Sequence, residues 1–388
     1  MQTPSITKTH IAVMSIAAGI CVANIYYNQP ILKDISHSLG VEEKDSGIIS
    51  VLAQAGYGLG LFFLTPLGDK VDRKKLILWL MGILVLVLVG ITFVQNFTWL
   101  CIFSLLTGLL SVAAQVILPM AASMDTVNRG RTVGIIFTGI LVGILGARVF
   151  AGLIAGWLGW RYVYGISSLL VLAAMVPVYT TLPNVKAVFE GNYTRLLGSS
   201  LQQFKRFSTL RTTAIAGALM FGVFCSFWTT LTFHLGGAPF NYGPDVIGLF
   251  GILAIGGAML APLFGRLADK GRPLKAQLFA GALVLASIIV IKLFPHSVVG
   301  FVLAVLGLDV GVQAMQVTNV ATIYSLDATA HSRINTAYMT SYFIGGALGS
   351  FTGLQCWAGG GWALVTWQLL AWCVLAMVVL IKAKPKKV

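Results

Sequence analysis

The sequence predicts an all-α membrane protein of twelve transmembrane helices, arranged as two pseudo-symmetric six-helix bundles. Three observations carry that expectation. Hydrophobic residues make up 57% of the 388 residues, charged residues 10%, and the mean hydropathy is +0.88, whereas a globular chain carries about 25% charged residues. Apolar runs recur at the length of roughly 20 residues that a helix needs to cross a bilayer. The polar punctuation between those runs is written twice, about half a chain apart.

In chain order the predicted spans are 10–31, 46–67, 76–95, 97–123, 132–157, 162–182, 212–236, 246–265, 275–294, 297–325, 334–356 and 362–382. The run LILWLMGILVLVLVGITFV, Leu76–Val94, shows the pattern at its plainest. The first span has the length of a signal sequence, but eleven more follow it without a soluble domain between, so it reads as an uncleaved helix. The domains expected from this layout are an N-terminal six-helix bundle over 1–183, a cytoplasmic linker over 184–210 and a C-terminal six-helix bundle over 211–388.

A net charge of +14 would fit a nucleic-acid binder, but the positions of the charges argue against one. With both termini cytoplasmic, 21 of the 26 Lys and Arg residues fall on the cytoplasmic side. Lys33, Lys44, Arg161 and Lys292 fall outside, and Arg148 lies within a span. That asymmetry follows the positive-inside rule, and an even helix count returns the chain to its starting side. The expected location is multi-pass in a cell membrane, a bacterial inner membrane, as a monomer whose partners are the lipid bilayer, protons and a small-molecule substrate. The five cysteines lie in apolar spans and the five histidines are scattered, so no metal site and no cofactor is expected.

The repeat is specific. Leu64–Lys75, LTPLGDKVDRKK, is echoed by Phe264–Pro273, FGRLADKGRP, with Asp69-Lys70 matched by Asp269-Lys270. Ala114–Val116 (AQV) returns as Met315–Val317 (MQV), Asp125 and Arg131 return as Asp327 and Arg333, and Gly143 returns as Gly345. Two like halves in one apolar chain are the mark of a parallel-repeat transporter.

These loops, with the twelve spans, resemble the major facilitator superfamily over the whole chain. Gly265–Gly271, GRLADKG, is similar to that family's loop signature, and the first copy is a looser version of it. ANIYYNQPIL at Ala23–Leu32 and SRINTAYMTSYFIGGALGS at Ser332–Ser350 resemble a bacterial branch near the drug:proton antiporters. The resemblance implies two bundles around a central cavity, with helices 1, 4, 7 and 10 innermost. It also implies gating loops carried by Asp69, Arg73, Gly265, Asp269 and Lys270, with Asp69 near the start of span eleven. The chain departs from the antiporters in span five, where Ala147-Arg148 stands in place of a Gly-Pro pair.

The residues themselves point to a site. An ionisable side chain at mid-membrane costs about 2.5–3.5 kcal/mol on insertion scales, so it faces a cavity or a partner. Two lie deep in the spans: Arg148 in span five and Asp309 in span ten. Asp309, Gln313 and Gln316 share one helical stripe. Gln115, Trp228, Asn24 and Tyr27 are further candidates for substrate contact, and Asp309 with Arg148 for proton coupling. The amides also fit interhelical bridging, and the charges a structural ion pair. No GxxxxGK[ST] motif occurs, so the energy source is an ion gradient rather than ATP. An enzyme is not expected, because a protease would need a second intramembrane acid and a hydrolase a mid-span histidine. The reading is proton-coupled efflux of small organic compounds, with an importer or uniporter of a sugar-like solute as the alternative.

Overall fold

The computed structural model describes residues 6–125, 128–185, 191–253, 273–327 and 330–383. Among the described residues the fold is all helical, with no strand. The helices are α1 (Lys8–Ala23), α2 (Leu32–Leu39), α3 (Glu43–Phe63), α4 (Arg73–Phe93), α5 (Phe97–Leu110), α6 (Ala113–Met124), α7 (Arg129–Leu158) and α8 (Trp160–Thr181). They continue with α9 (Tyr193–Arg206), α10 (Ser208–Gly236), α11 (Pro244–Leu253), α12 (Pro273–Leu293), α13 (Val298–Tyr324) and α14 (His331–Lys382). Nine helical segments among the described residues are long and apolar enough to cross a membrane, α5 with α6 counting as one.

Their surface is that of a protein solvated by hydrocarbon. Trp79, Leu86, Phe93 and Trp157 are each at least 70% exposed, while Arg148 and Asp309 are buried. Soluble proteins place these residue types the other way round.

Two predicted spans are interrupted where local chemistry dictates, and two others are joined into one bent helix. The first helix ends at Ala23 instead of running to 31. The Asn24 amide donates to the Ile20 carbonyl at 2.9 Å, Asn28 donates to the Ile25 carbonyl at 2.9 Å, and Pro30 opens a 3-10 turn over Gln29–Ile31. Such side-chain bonds compete with the helical ladder, and proline lacks the N–H to rejoin it. In span four, the Ser111 hydroxyl takes the Thr107 carbonyl at 2.7 Å, and α5 gives way to α6 there. Spans eleven and twelve form the two arms of α14, which bends at Gly360-Gly361; Gly361 has φ +57°, a conformation that suits glycine.

Glycines set the closest approaches. A methyl group on Gly143 would stand 2.2 Å from the Gly19 carbonyl oxygen, and one on Gly152 would stand 2.3 Å from that of Pro244. The long helix α7 is thereby drawn against α1 at one level and α11 at another. Arg148 lies between those two contacts. Elsewhere α3 packs on α5 and on α14, α4 on α8, and α10 on α14.

One end of the molecule is closed by contacts between the earlier and later helices. Thr232 donates its hydroxyl to the Gln29 carbonyl at 2.5 Å, Lys33 donates to the Gly236 carbonyl, and the Trp357 indole donates to Glu43 at 2.9 Å. The opposite end is bridged by the linker helix α9. Tyr193 donates to the Phe63 carbonyl, and Arg206 pairs with Asp327 at 2.6 Å.

Candidate functional site

The polar residues of the interior sort into two layers. The first is a narrow cavity lined by Gln115 of α6, Gln313 and Gln316 of α13, and the rings of Tyr26, Tyr57 and Tyr342. Two of its amides are bonded to tyrosines. Gln115 donates to the Tyr57 hydroxyl at 3.1 Å, and the Tyr342 hydroxyl donates to Gln316 at 3.2 Å. Phe221 stacks on Tyr342 with ring centroids 4.0 Å apart, which stiffens that wall.

The second layer holds the charges. The Arg148 guanidinium lies 4.0 Å from the centroid of Trp228 and 5.3 Å from those of Tyr26 and Phe224. This is a three-ring cation–π enclosure. Its Nε–H donates to Gln29 Oε1 at 2.7 Å, leaving Nη1 and Nη2 without a hydrogen bond. Asp309 is fully buried, and neither carboxylate oxygen accepts a bond; the Trp228 indole N–H is also unused. Arg148 and Trp228 are close enough to act on the Asp309 charge, yet no ion pair within 4.0 Å forms among these described residues. Three donor atoms and two acceptor atoms thus converge, buried and unpaired. Buried polar groups are normally paired, and one left so costs about 1–3 kcal/mol.

Tyr26 and Phe224 stand between the two layers: both line the glutamine cavity, and both rings face the guanidinium. The sequence-predicted residues therefore separate. Gln115, Gln313 and Gln316 come together in the cavity, while Trp228, Arg148 and Asp309 come together behind its wall. Asn24 and Tyr27 join neither group. The Asn24 amide serves its own helix and accepts from Ser167 at 2.8 Å, and Tyr27 packs on Phe150 at 5.3 Å. Sequence reasoning missed Gln29, Tyr57 and Tyr342. Gln29 stands inside the quoted ANIYYNQPIL stretch, and its place before Pro30, at a helix break, was the available signal.

The loop between α3 and α4 is tied down by Arg73. Asp69 accepts from Arg73 at 2.9 Å, and Arg73 also donates to the carbonyls of Gly68 and Pro119, each at 3.0 Å, and to Ser123 at 3.2 Å. Asp69 shares a small cavity with Ser332, Arg333 and Thr336 in the first turns of α14. Gly265, Asp269 and Lys270 lie outside the described residues.

A family model for the Major Facilitator Superfamily matches residues 14–350. The chain belongs to that superfamily. Its members are transport proteins rather than enzymes, and a helical membrane protein is what this one is. The chain is 39% identical over 354 residues, 91% of its own length and 90% of the relative's, to "Uncharacterized transporter YgaY" of Escherichia coli O157:H7. It is 27% identical over 358 residues, 92% of its length and 83% of the relative's, to "Probable transporter SCO4007" of Streptomyces coelicolor. Among solved structures, a bacterial homolog of the human lysosomal transporter Spinster, inward-facing and unoccupied, superposes with a TM-score of 0.73. At 16% identity, with 96% of this chain and 94% of that one covered, the match speaks for the fold.

Proposed function

We propose that this superfamily member exports small organic compounds in exchange for protons, with the glutamine cavity as the substrate site and Asp309 as the proton carrier. The observation that carries the reading is the second layer: one acid and one base, buried, with unpaired polar atoms, directly behind the cavity wall. A membrane protein keeps such groups at a cost of several kcal/mol only where they do something. Substrate and proton need not share a contact in this arrangement. Tyr26 and Phe224 touch both layers, so a ligand that shifts those rings alters the surroundings of Arg148 and, through it, of Asp309.

The proposed frame is twelve spans in two six-helix bundles, 1–183 and 211–388, joined by the 184–210 linker. Both termini and the Asp69–Arg73 loop are cytoplasmic, and the end closed by Gln29, Lys33 and Trp357 faces outward. The chain works as a monomer in a bacterial inner membrane. Asp69 latches the loop against the start of α14, where the helix N-terminus carries about half a positive charge, and Asp269 with Lys270 and Gly265 forms the matching latch.

The test uses purified protein in liposomes with an imposed pH gradient. The substrate is first found by a thermal-shift screen, since a bound ligand stabilises the folded state. Accumulation that collapses on adding an uncoupler is expected, and Asp309→Asn should abolish it while sparing folding and exchange of a neutral substrate. If Asp309→Asn accumulates substrate as well as the parent, the coupling assignment is wrong. Flux that ignores the uncoupler would instead make the protein a uniporter or importer of a sugar-like solute.

A further inference from the structure

We infer that Gln29 is a positioning residue that ties the charged layer to the closed end of the molecule. It rests on the reading of Arg148 as part of the coupling site, but its test does not.

Gln29 makes two bonds of different kind. Its side-chain Oε1 accepts the Arg148 Nε–H at 2.7 Å, and its backbone carbonyl accepts the Thr232 hydroxyl at 2.5 Å. The first bond reaches the guanidinium that faces Asp309. The second joins the end of the α1 segment to the last turns of α10, and Lys33 reinforces it one turn on at Gly236. Both Gln29 bonds are buried, and the residue is 1% exposed.

The local backbone makes this linkage sensitive. Gln29 begins a 3-10 turn with Pro30 behind it and the broken stretch of residues 24–28 before it. A continuous helix would spread a displacement over several turns. Here the peptide that carries the carbonyl and the side chain that carries the amide belong to one short turn, so they move together. Arg148 has little else to fix its direction: the Asp309 charge acts on it without a hydrogen bond, the ring faces beside it attract without fixing direction, and its two terminal nitrogens are unbonded. Among the described residues, Gln29 is the one hydrogen-bonding partner of that side chain. When a ligand or an ionised Asp309 draws the guanidinium away, the turn follows, and the Thr232 bond opens with it. The closed end then responds to the state of a residue it does not touch.

The test is the reactivity of a cysteine placed at Leu235, which is fully buried at that end, in a full-length protein whose five native cysteines are replaced by serine or alanine. Labelling by a water-soluble maleimide is followed in detergent, with no substrate and no gradient, so it is blind to whether the chain exchanges protons. Gln29→Met keeps the length and removes the acceptor, and should speed labelling about ten-fold, the factor expected when a hydrogen bond to a charged group is lost. Gln29→Glu retains an acceptor and should label near the parent rate. Arg148→Lys should also speed labelling, and combining it with Gln29→Met should add nothing further, because both cut the same link. If Gln29→Met does not fold, Thr232→Val decides the matter, since it cuts only the carbonyl bond and should speed labelling alone. The inference fails if Gln29→Met or Thr232→Val labels at the parent rate. It also fails if the Gln29→Met and Arg148→Lys effects multiply.

Discussion

The two polar layers of the interior are built from similar materials but finished differently. In the glutamine cavity, Gln115 and Gln316 each spend one bond on a tyrosine and keep capacity to spare. Behind Tyr26 and Phe224, Arg148, Asp309 and Trp228 leave five polar atoms unbonded although all three side chains are buried. An amide half-satisfied beside a cavity is cheap, because it costs no charge. A charge left half-satisfied in a buried layer is expensive, and its retention is the better mark of function. In the proposed function the cavity is where a ligand sits, and the charged layer is where its arrival is registered.

Three substitutions sharpen that contrast. The largest effect is expected from Arg148→Met, which leaves Asp309 buried with no opposing charge. A buried charge left without an opposing one is costly, so thermal unfolding in detergent should come at a lower temperature, and adding Asp309→Asn should restore most of the loss. Equal stability of the single and double variants would mean that the two charges are not coupled. Next comes the packing that delivers Arg148. Gly143→Ala would drive a methyl to 2.2 Å from the Gly19 backbone, whereas a methyl on Gly146, one turn along the same helix, meets nothing within 4 Å. Overpacking costs about 1–3 kcal/mol, so Gly143→Ala should destabilise and Gly146→Ala should not; a matched pair of melting curves checks it. The smallest effect belongs to the cavity. Gln316→Leu loses one bond to Tyr342, a contact worth about 0.6 kcal/mol between membrane helices. It should leave the melting temperature almost unchanged and show itself in ligand affinity, measured by the ligand-induced thermal shift.

How much of this could be read from the residues differs element by element. Arg148 and Asp309 were legible singly, because charge within an apolar run is conspicuous without any structure. That they lie in one layer without bonding was not legible, since nothing in the spacing of α7 and α13 sets the distance between them. The glutamines on α13 were legible as a stripe, because helical periodicity puts positions three apart on one face. Asn24 was legible only as a polar residue. Its amide turns back on the Ile20 carbonyl, and this use depends on the helix ending there. The end itself was foreshadowed by Pro30, and so was Gln29, whose importance lies in a partner 119 positions away.

By itself the sequence determined the solvent and the all-helical class, because hydrophobic length and backbone hydrogen bonding in lipid leave few alternatives. It also carried the repeated loops on which the expectation of two like halves rests, since a repeat needs only comparison of the chain with itself. The tertiary structure decided which polar residues share a space. Helices in lipid are not sorted by hydrophobicity alone but by how closely their backbones fit, and the glycines that bring α7 against α1 and α11 act over contacts of a few ångströms. Those contacts placed Arg148 behind a wall of rings, with Gln29 and not Asp309 as its bonded partner.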